Sequence, residues 1–278
     1  METSNEAALA AAGAPPSRWR AILVVLLVNA VPIVGVLHYG WSATNVIVLY
    51  WFENLLVAVT TTLRILAHRI ITRKRGHWRI DDKAGIRVND KPFKSTLLAS
   101  YALIAFVFTL AHGVFVAAIA FMLTQNHPDD PTWQLSWPQL WRGVAVISAM
   151  LGVELVVDLA TMRTKSFAWI KGYADRRTGR VFVLHLAIIF GMFAMAMTNS
   201  PFGILYVLIA LKTLVDLGGA MAEGVAPPDP EAPPPAWALK FADKVAKDKG
   251  GSAAMLKDLK AQGAREKREA ISDEQVVP

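Results

Sequence analysis

Residues 202–222 read FGILYVLIALKTLVDLGGAMA, an apolar run whose only charged members are Lys212 and Asp216. About 20 such residues cross a hydrocarbon core of roughly 30 Å as a helix. Five further runs have the same character, at 21–39, 44–67, 95–124, 140–162 and 181–199. An isolated strand would leave its backbone groups unpaired in lipid, so each run is expected to be a helix. The expected fold is therefore an all-α membrane protein with six transmembrane helices. Only Asn199-Ser200-Pro201 separates the fifth run from the sixth, which predicts a tight antiparallel hairpin. Gly40-Trp41-Ser42-Ala43 joins the first two runs nearly as closely. The third is long enough to tilt or to start in the interface.

Composition agrees. Of 278 residues 54% are apolar and 18% charged, where a soluble domain carries about 25% charged residues. The charges sit in a few segments between the apolar runs. A disordered chain, a collagen-like chain and a small disulfide scaffold are excluded. Because the chain has no cysteine, disulfides, thiolate zinc sites and cysteine nucleophiles are excluded as well.

The basic residues orient the runs. Arg18 and Arg20 precede the first run. The connection between the second and third holds Arg69, Arg73, Lys74, Arg75, Lys91 and Lys94. The connection between the fourth and fifth holds Arg163, Lys165, Lys171, Arg176, Arg177 and Arg180, and more basic residues follow Lys240. The alternate connections carry neither Lys nor Arg. The positive-inside rule then puts both termini in the cytoplasm and the chain in the inner membrane. The net charge of +7 is explained by attraction of these loops and the tail to anionic inner-leaflet lipids. No nucleic acid is needed as a partner; a homo-oligomer or a protein partner is left open. A signal peptide cut near Val28-Asn29-Ala30 is disfavoured, since the apolar run continues past Pro32 to Leu37.

The domain organisation expected is a disordered tail over 1–17, a transmembrane domain over 18–224, and a Pro-rich linker with a basic, mobile tail over 225–278. Within the last, Trp237, Phe241 and Val245 share a helical face beside Lys240, Lys244 and Lys247. That is a short amphipathic helix suited to the inner leaflet, or to a docking partner. Trp133, Trp137 and Trp141 recur every four residues and read as an interfacial aromatic belt.

Ionisable side chains inside the runs decide what chemistry is available, because each costs roughly 2.5–3.5 kcal/mol at the centre of a span. The second run holds Glu53 and Asn54, the third His112, the fourth Glu154 and Asp158, the fifth His185, and the sixth Lys212 and Asp216. At a rise of about 1.5 Å per residue, Glu53, Lys212 and His112 lie roughly 13–18 Å from the outer ends, and Glu154, His185 and Asp216 roughly 20–23 Å. Glu53, Asn54, His112, Glu154, His185, Lys212 and Asp216 are thus candidates for one substrate- or ion-binding cluster. Three carboxylates in this layer face one lysine. Either some stay protonated or a cation neutralises them, which points to proton or cation linkage. Against this, Lys212 and Asp216 four apart can pair within their own helix, and each histidine can serve packing through a backbone carbonyl. No metal or cofactor is assigned, since every ligand of a metal site would come from a different helix.

Tyr50-Trp51-Phe52-Glu53-Asn54 resembles the Y-W-x-E-N motif of an uncharacterised prokaryotic family of multi-pass membrane proteins, a domain of unknown function. His112-Gly113-Val114-Phe115 is similar to its H-G-x-F segment, Leu184-His185 to its L-H segment, and Lys212-Thr213-Leu214-Val215-Asp216-Leu217 to its K-T-x-x-D-L ending. The four motifs fall in the same order over 20–222. The resemblance implies a polytopic membrane protein and one functional unit made of Glu53, Asn54, His112, His185, Lys212 and Asp216. Relatives carry a further His-Tyr-Gly ahead of His-Gly, where this chain has Tyr101-Ala102-Leu103; any role of that histidine is in doubt here.

The function expected is transport or permeation of a small solute or ion, linked to protons or cations. Glu53 would carry the charge and Lys212 act as its switchable counter-ion. A membrane-embedded enzyme acting on a lipid-like substrate and a non-catalytic scaffold are the alternatives, so enzymatic activity stays open.

Overall fold

A computed structural model describes the backbone of residues 22, 23, 26, 30, 32, 34–88, 91–198, 200, 202–222, 244 and 251–277, with most of their side chains. The chain is mostly helical. Among the described residues its long helices are α1 (Ala43–Thr72), α2 (Leu97–Asn126), α3 (Trp137–Thr161), α4 (Phe167–Thr198), α5 (Phe202–Ala222) and α6 (Gly251–Asp273). Short 3-10 turns lie at Arg75–His77 and Met162–Thr164. Among the described residues, three helical segments are long and apolar enough to cross a membrane: α1, α2 and α3 with its 3-10 extension to Thr164. The first apolar run is described in part, and residues 34–38 within it are helical. The expected tail over 1–17 and the amphipathic stretch around Trp237 lie outside the described residues, Lys244 apart.

Three expectations need correction. The fifth helix begins at Phe167, well before residue 181, so Lys171, Arg176, Arg177 and Arg180 sit on a helix and not in a loop. Hydropathy marks where lipid-compatible sequence starts; it does not mark where a helix starts. Lys, Arg and Ala are good helix formers, and Ser166 caps the new end by accepting the Trp169 N–H at 3.0 Å. The protein is also not purely α. β1 (Asp81–Val88) and β2 (Lys91–Ser95) form an antiparallel hairpin in which Asp81 faces Ser95 and Val88 faces Lys91. The sequence signal was Ile86-Arg87-Val88 followed by the turn-favouring Asn89-Asp90. Finally, the stretch beyond Lys249, expected to be mobile, forms α6. Its Ala, Leu, Lys, Glu and Arg content favours helix, and Gln262–Glu266 and Arg265–Glu269 bond at one-turn spacing.

The chain divides into two compact units. Unit 1 comprises residues 1–62, 101–157 and 174–225; unit 2 comprises 63–100, 158–173 and 226–278. The core of unit 1 gathers Val46, Ile47 and Tyr50 of α1, Val116, Ile119 and Leu123 of α2, Trp133, and Ile204, Leu205 and Leu208 of α5. These fall at helical spacing on each element, so each helix buries one stripe. Ser42 caps α1 by accepting the Asn45 N–H at 3.2 Å while its hydroxyl donates to the Gln134 carbonyl at 2.6 Å. The Ala43 N–H and the Thr44 hydroxyl donate to the carbonyls of Thr132 and Trp133. The 132–136 segment is thereby seated on the start of α1.

Glycine makes the α4–α5 hairpin tight. A Cβ on Gly203 would lie 2.7 Å from the Met195 nitrogen and 2.8 Å from the Ala194 carbonyl carbon, both backbone atoms that cannot swing away. Small residues let helix backbones approach this closely. On its outer side α3 leaves Val146, Met150, Val153 and Val157 exposed. A water-soluble helix would bury such a stripe, so the protein associates with membrane.

Candidate functional site

In unit 1, Tyr50 connects the second apolar run with the sixth. The Lys212 ammonium sits 5.6 Å from the Tyr50 ring centroid and donates to Asp216 Oδ2 at 2.7 Å. The pair spans one turn of α5, as i, i+4 spacing allows. Its side chains are 20% and 11% exposed, so it is largely removed from solvent without being sealed. The carboxylates of Glu53 and Asp216 are both electrostatic neighbours of Tyr50. The Tyr50 hydroxyl itself is buried and has no hydrogen-bond partner among the described residues. Leaving a buried hydroxyl unsatisfied costs on the order of 1–3 kcal/mol; the Thr61 and Thr109 hydroxyls of unit 1 are likewise buried without a partner among the described residues, and Tyr50 is the one of the three beside the Lys212–Asp216 pair.

The remaining candidates separate. Asn54 donates to the Tyr50 carbonyl within α1 at 2.8 Å. His112 is buried, and its Nδ1 bonds the Phe108 carbonyl at 2.6 Å. A carbonyl only accepts, so His112 Nδ1 carries a proton. Next to it, Gly113 leaves room for Trp51, whose indole N–H donates to the Thr109 carbonyl at 2.8 Å. A Cβ on Gly113 would meet that indole nitrogen at 2.8 Å. The glycine of the His-Gly motif thus admits the tryptophan of the Tyr-Trp motif. Glu154 bonds Arg177 Nη2 at 2.9 Å. The sequence places Arg177 in a connection between apolar runs, so a charge balance taken within the runs omits this partner. His185 lies on α4, and its side chain is outside the described residues. The structure therefore brings Glu53, Lys212 and Asp216 around Tyr50, which sequence reasoning had quoted only as part of a motif.

Unit 2 holds a second polar network. Arg64 Nε donates to Asp158 Oδ2 at 2.7 Å, and Lys165 Nζ to Oδ1 of the same carboxylate at 2.6 Å. The Arg64 guanidinium also lies 5.2 Å from the Tyr173 ring centroid. Beside them, His68 Nε2 faces the Lys165 carbonyl at 3.1 Å, which places the His68 proton on Nε2. His68 Nδ1 then accepts from His77 Nε2–H at 2.7 Å. His77 Nδ1 is left as a buried lone pair with no partner among the described residues. Burial first, then the positive fields of His68, Arg69 and Lys74, push the His77 imidazole down to about 4 from its ordinary 6.5. The unfolded chain binds the extra proton between those two values, so the folded form loses stability as the pH falls from 6.5 towards 4. Melting temperatures followed across that window should drop more steeply for the wild type than for His77→Gln. Parallel curves would show that this histidine is not the titrating group.

Among the described residues no group of three or more His, Cys, Asp or Glu side chains is placed to hold a metal ion. None of the curated proteins and none of the solved structures matches the chain. A family profile does, over residues 12–234, which takes in all the motifs quoted above and most of the chain. The chain belongs to the family of unknown function DUF6498.

Proposed function

We propose that this protein is a six-pass inner-membrane transporter or channel for a small solute or ion, with both termini cytoplasmic. The alternating basic connections support that orientation. Three apolar helices of spanning length support the membrane setting. The observation that carries the transport reading is the Tyr50 hydroxyl, buried without a hydrogen bond beside the Lys212–Asp216 pair. A buried donor and acceptor next to a lysine and two carboxylates can bind a polar solute or relay a proton. Protonating Asp216 would release Lys212 from it, so charge movement and ion-pair opening are linked at one place.

Proteoliposomes loaded with a pH-sensitive dye, under an imposed potassium diffusion potential, test this. Wild-type vesicles should equilibrate protons. Glu53→Gln and Tyr50→Phe should lower that rate by about tenfold or more, the size expected when a positioned proton-transfer group is lost. Rates equal to wild type in both variants would remove this centre from the mechanism.

A scaffold is the second reading, supported by the way Glu154 and Asp158 are each held by an arginine. In that case the polar groups fix helix register. Protein-free and wild-type vesicles would then equilibrate protons at the same rate, and a stable partner would co-purify.

A further inference from the structure

The last residues of the chain are bound like a ligand. The Val277 N–H donates to the Arg73 carbonyl at 2.8 Å, and the Arg75 N–H to the Gln275 carbonyl at 2.7 Å. Lys74 and Val276 are therefore antiparallel partners in an isolated bridge. Arg73 turns the backbone out of α1 with a φ of 49°; Lys74 is extended, with φ −72° and ψ 137°, and the 3-10 turn Arg75–His77 follows at once. Two acidic side chains at the end of α6 precede the bridged residue Val276. Asp273, nearly buried, pairs with Arg79 at 2.7 Å. Glu274 pairs with Lys74 at 2.7 Å through one oxygen and accepts the Ala168 N–H at 3.1 Å through the other. Burial opposes ionisation of Glu274, but the Lys74 ammonium and the first amides of α4 outweigh it and hold the carboxyl below the usual range. Phe167 packs against Gly76, where a Cβ would overlap its ring.

Two backbone bonds hold the segment at Lys74, and Lys74, Arg79 and the first amides of α4 select for acidic side chains. The Lys74–Glu274 pair is partly exposed, 18% and 36%, and exposed pairs exchange readily; the Asp273 carboxylate is nearly buried and anchors the segment.

We propose that Asp273–Val277 is a reversible latch occupying a binding site for acidic peptide segments, built from residues 73–79 and the start of α4. Engaged, it clamps the 73–79 connection to α4; withdrawn, it exposes a site that takes another segment of the same chemistry. This stands apart from the transport reading.

The test uses the full-length protein in detergent, with hydrogen exchange at Arg75 and Val277 and a fluorescent peptide of sequence ISDEQVVP, residues 271–278. Glu274→Gln should speed exchange at both amides by about tenfold or more, the effect of losing a charge-assisted bond. The same variant should capture the peptide about tenfold more tightly than wild type does, and adding Arg79→Ala should abolish capture. In wild type, excess unlabelled peptide should speed exchange at Val277 by displacing the resident segment. Equal exchange in wild type and Glu274→Gln overturns the latch. Faster exchange without peptide capture overturns the binding site.

Discussion

Replacing Asp158 with alanine should destabilise the protein by about 3–5 kcal/mol, the cost of leaving a buried charge without its partner. The Arg64 side chain is 1% exposed and Asp158 17%. Asp158 accepts from Arg64 at 2.7 Å and from Lys165 at 2.6 Å. Removing the carboxylate strands the guanidinium, which cannot shed its proton because its pKa lies above about 12. Lys165 loses less, since it is partly exposed and also sits over the Trp169 ring at 3.8 Å. The measurement is the unfolding free energy in mixed micelles titrated with a denaturing detergent. Asp158→Asn, which keeps the shape and loses the charge, should fall between wild type and alanine. The double variant Arg64→Met, Asp158→Leu should recover most of the loss, because apolar replacement of both partners is often neutral or favourable. A loss under about 1 kcal/mol for Asp158→Ala, the range of exposed pairs, would mean that Arg64 reaches water in the native protein.

That pair also shows what could be read from the residues alone and what could not. Depth along an apolar run depends only on the rise per residue, so Arg64 and Asp158 could be put near the inner end of their runs before any coordinates. Their contact could not be read, since nothing local relates positions 64 and 158. Lys212 and Asp216 are the opposite case: four apart on one helix, they pair as spacing permits. The apolar runs at 44–67, 95–124, 140–162 and 202–222 fall within a few residues of α1, α2, α3 and α5. The start of α4 was missed because helix formation continues past the apolar stretch into residues rich in Lys, Arg and Ala. Arg177 was therefore mistaken for a loop residue, and Glu154 for an unpaired acid. Asn89-Asp90 signalled a hairpin that the count of basic residues obscured. The placement of the C-terminal residues rests on Glu274, Asp273 and backbone bonds to Arg73 and Arg75, partners about 200 positions away in sequence. Charge alternation alone reads as solvated chain.

Trp133→Ala should cost about 3–5 kcal/mol, the usual range for emptying an aromatic site in a packed core. Sequence spacing grouped Trp133 with Trp137 and Trp141 as an interfacial belt. The structure separates them: Trp133 is 1% exposed, Trp137 59% and Trp141 64%. The ring of Trp133 meets Phe202 edge-on at 4.8 Å between centroids. It also lies tilted against His127 at 6.0 Å. Its carbonyl accepts the Thr44 hydroxyl at 2.8 Å, and this bond survives the substitution because it belongs to the backbone. The side chain is what fills the space between the start of α5 and the 127–136 segment. Deleting it leaves a cavity beside Phe202 and His127, and a well-packed interior closes only part of such a gap. Trp133→Phe should recover part of the loss by restoring an aromatic contact with Phe202. Trp141→Ala, at a position that touches its surroundings mainly from outside, should change unfolding by under about 1 kcal/mol. The same detergent titration ranks the variants. A Trp133→Ala cost no larger than that of Trp141→Ala would return Trp133 to the interface and remove the 127–136 segment from the core of unit 1.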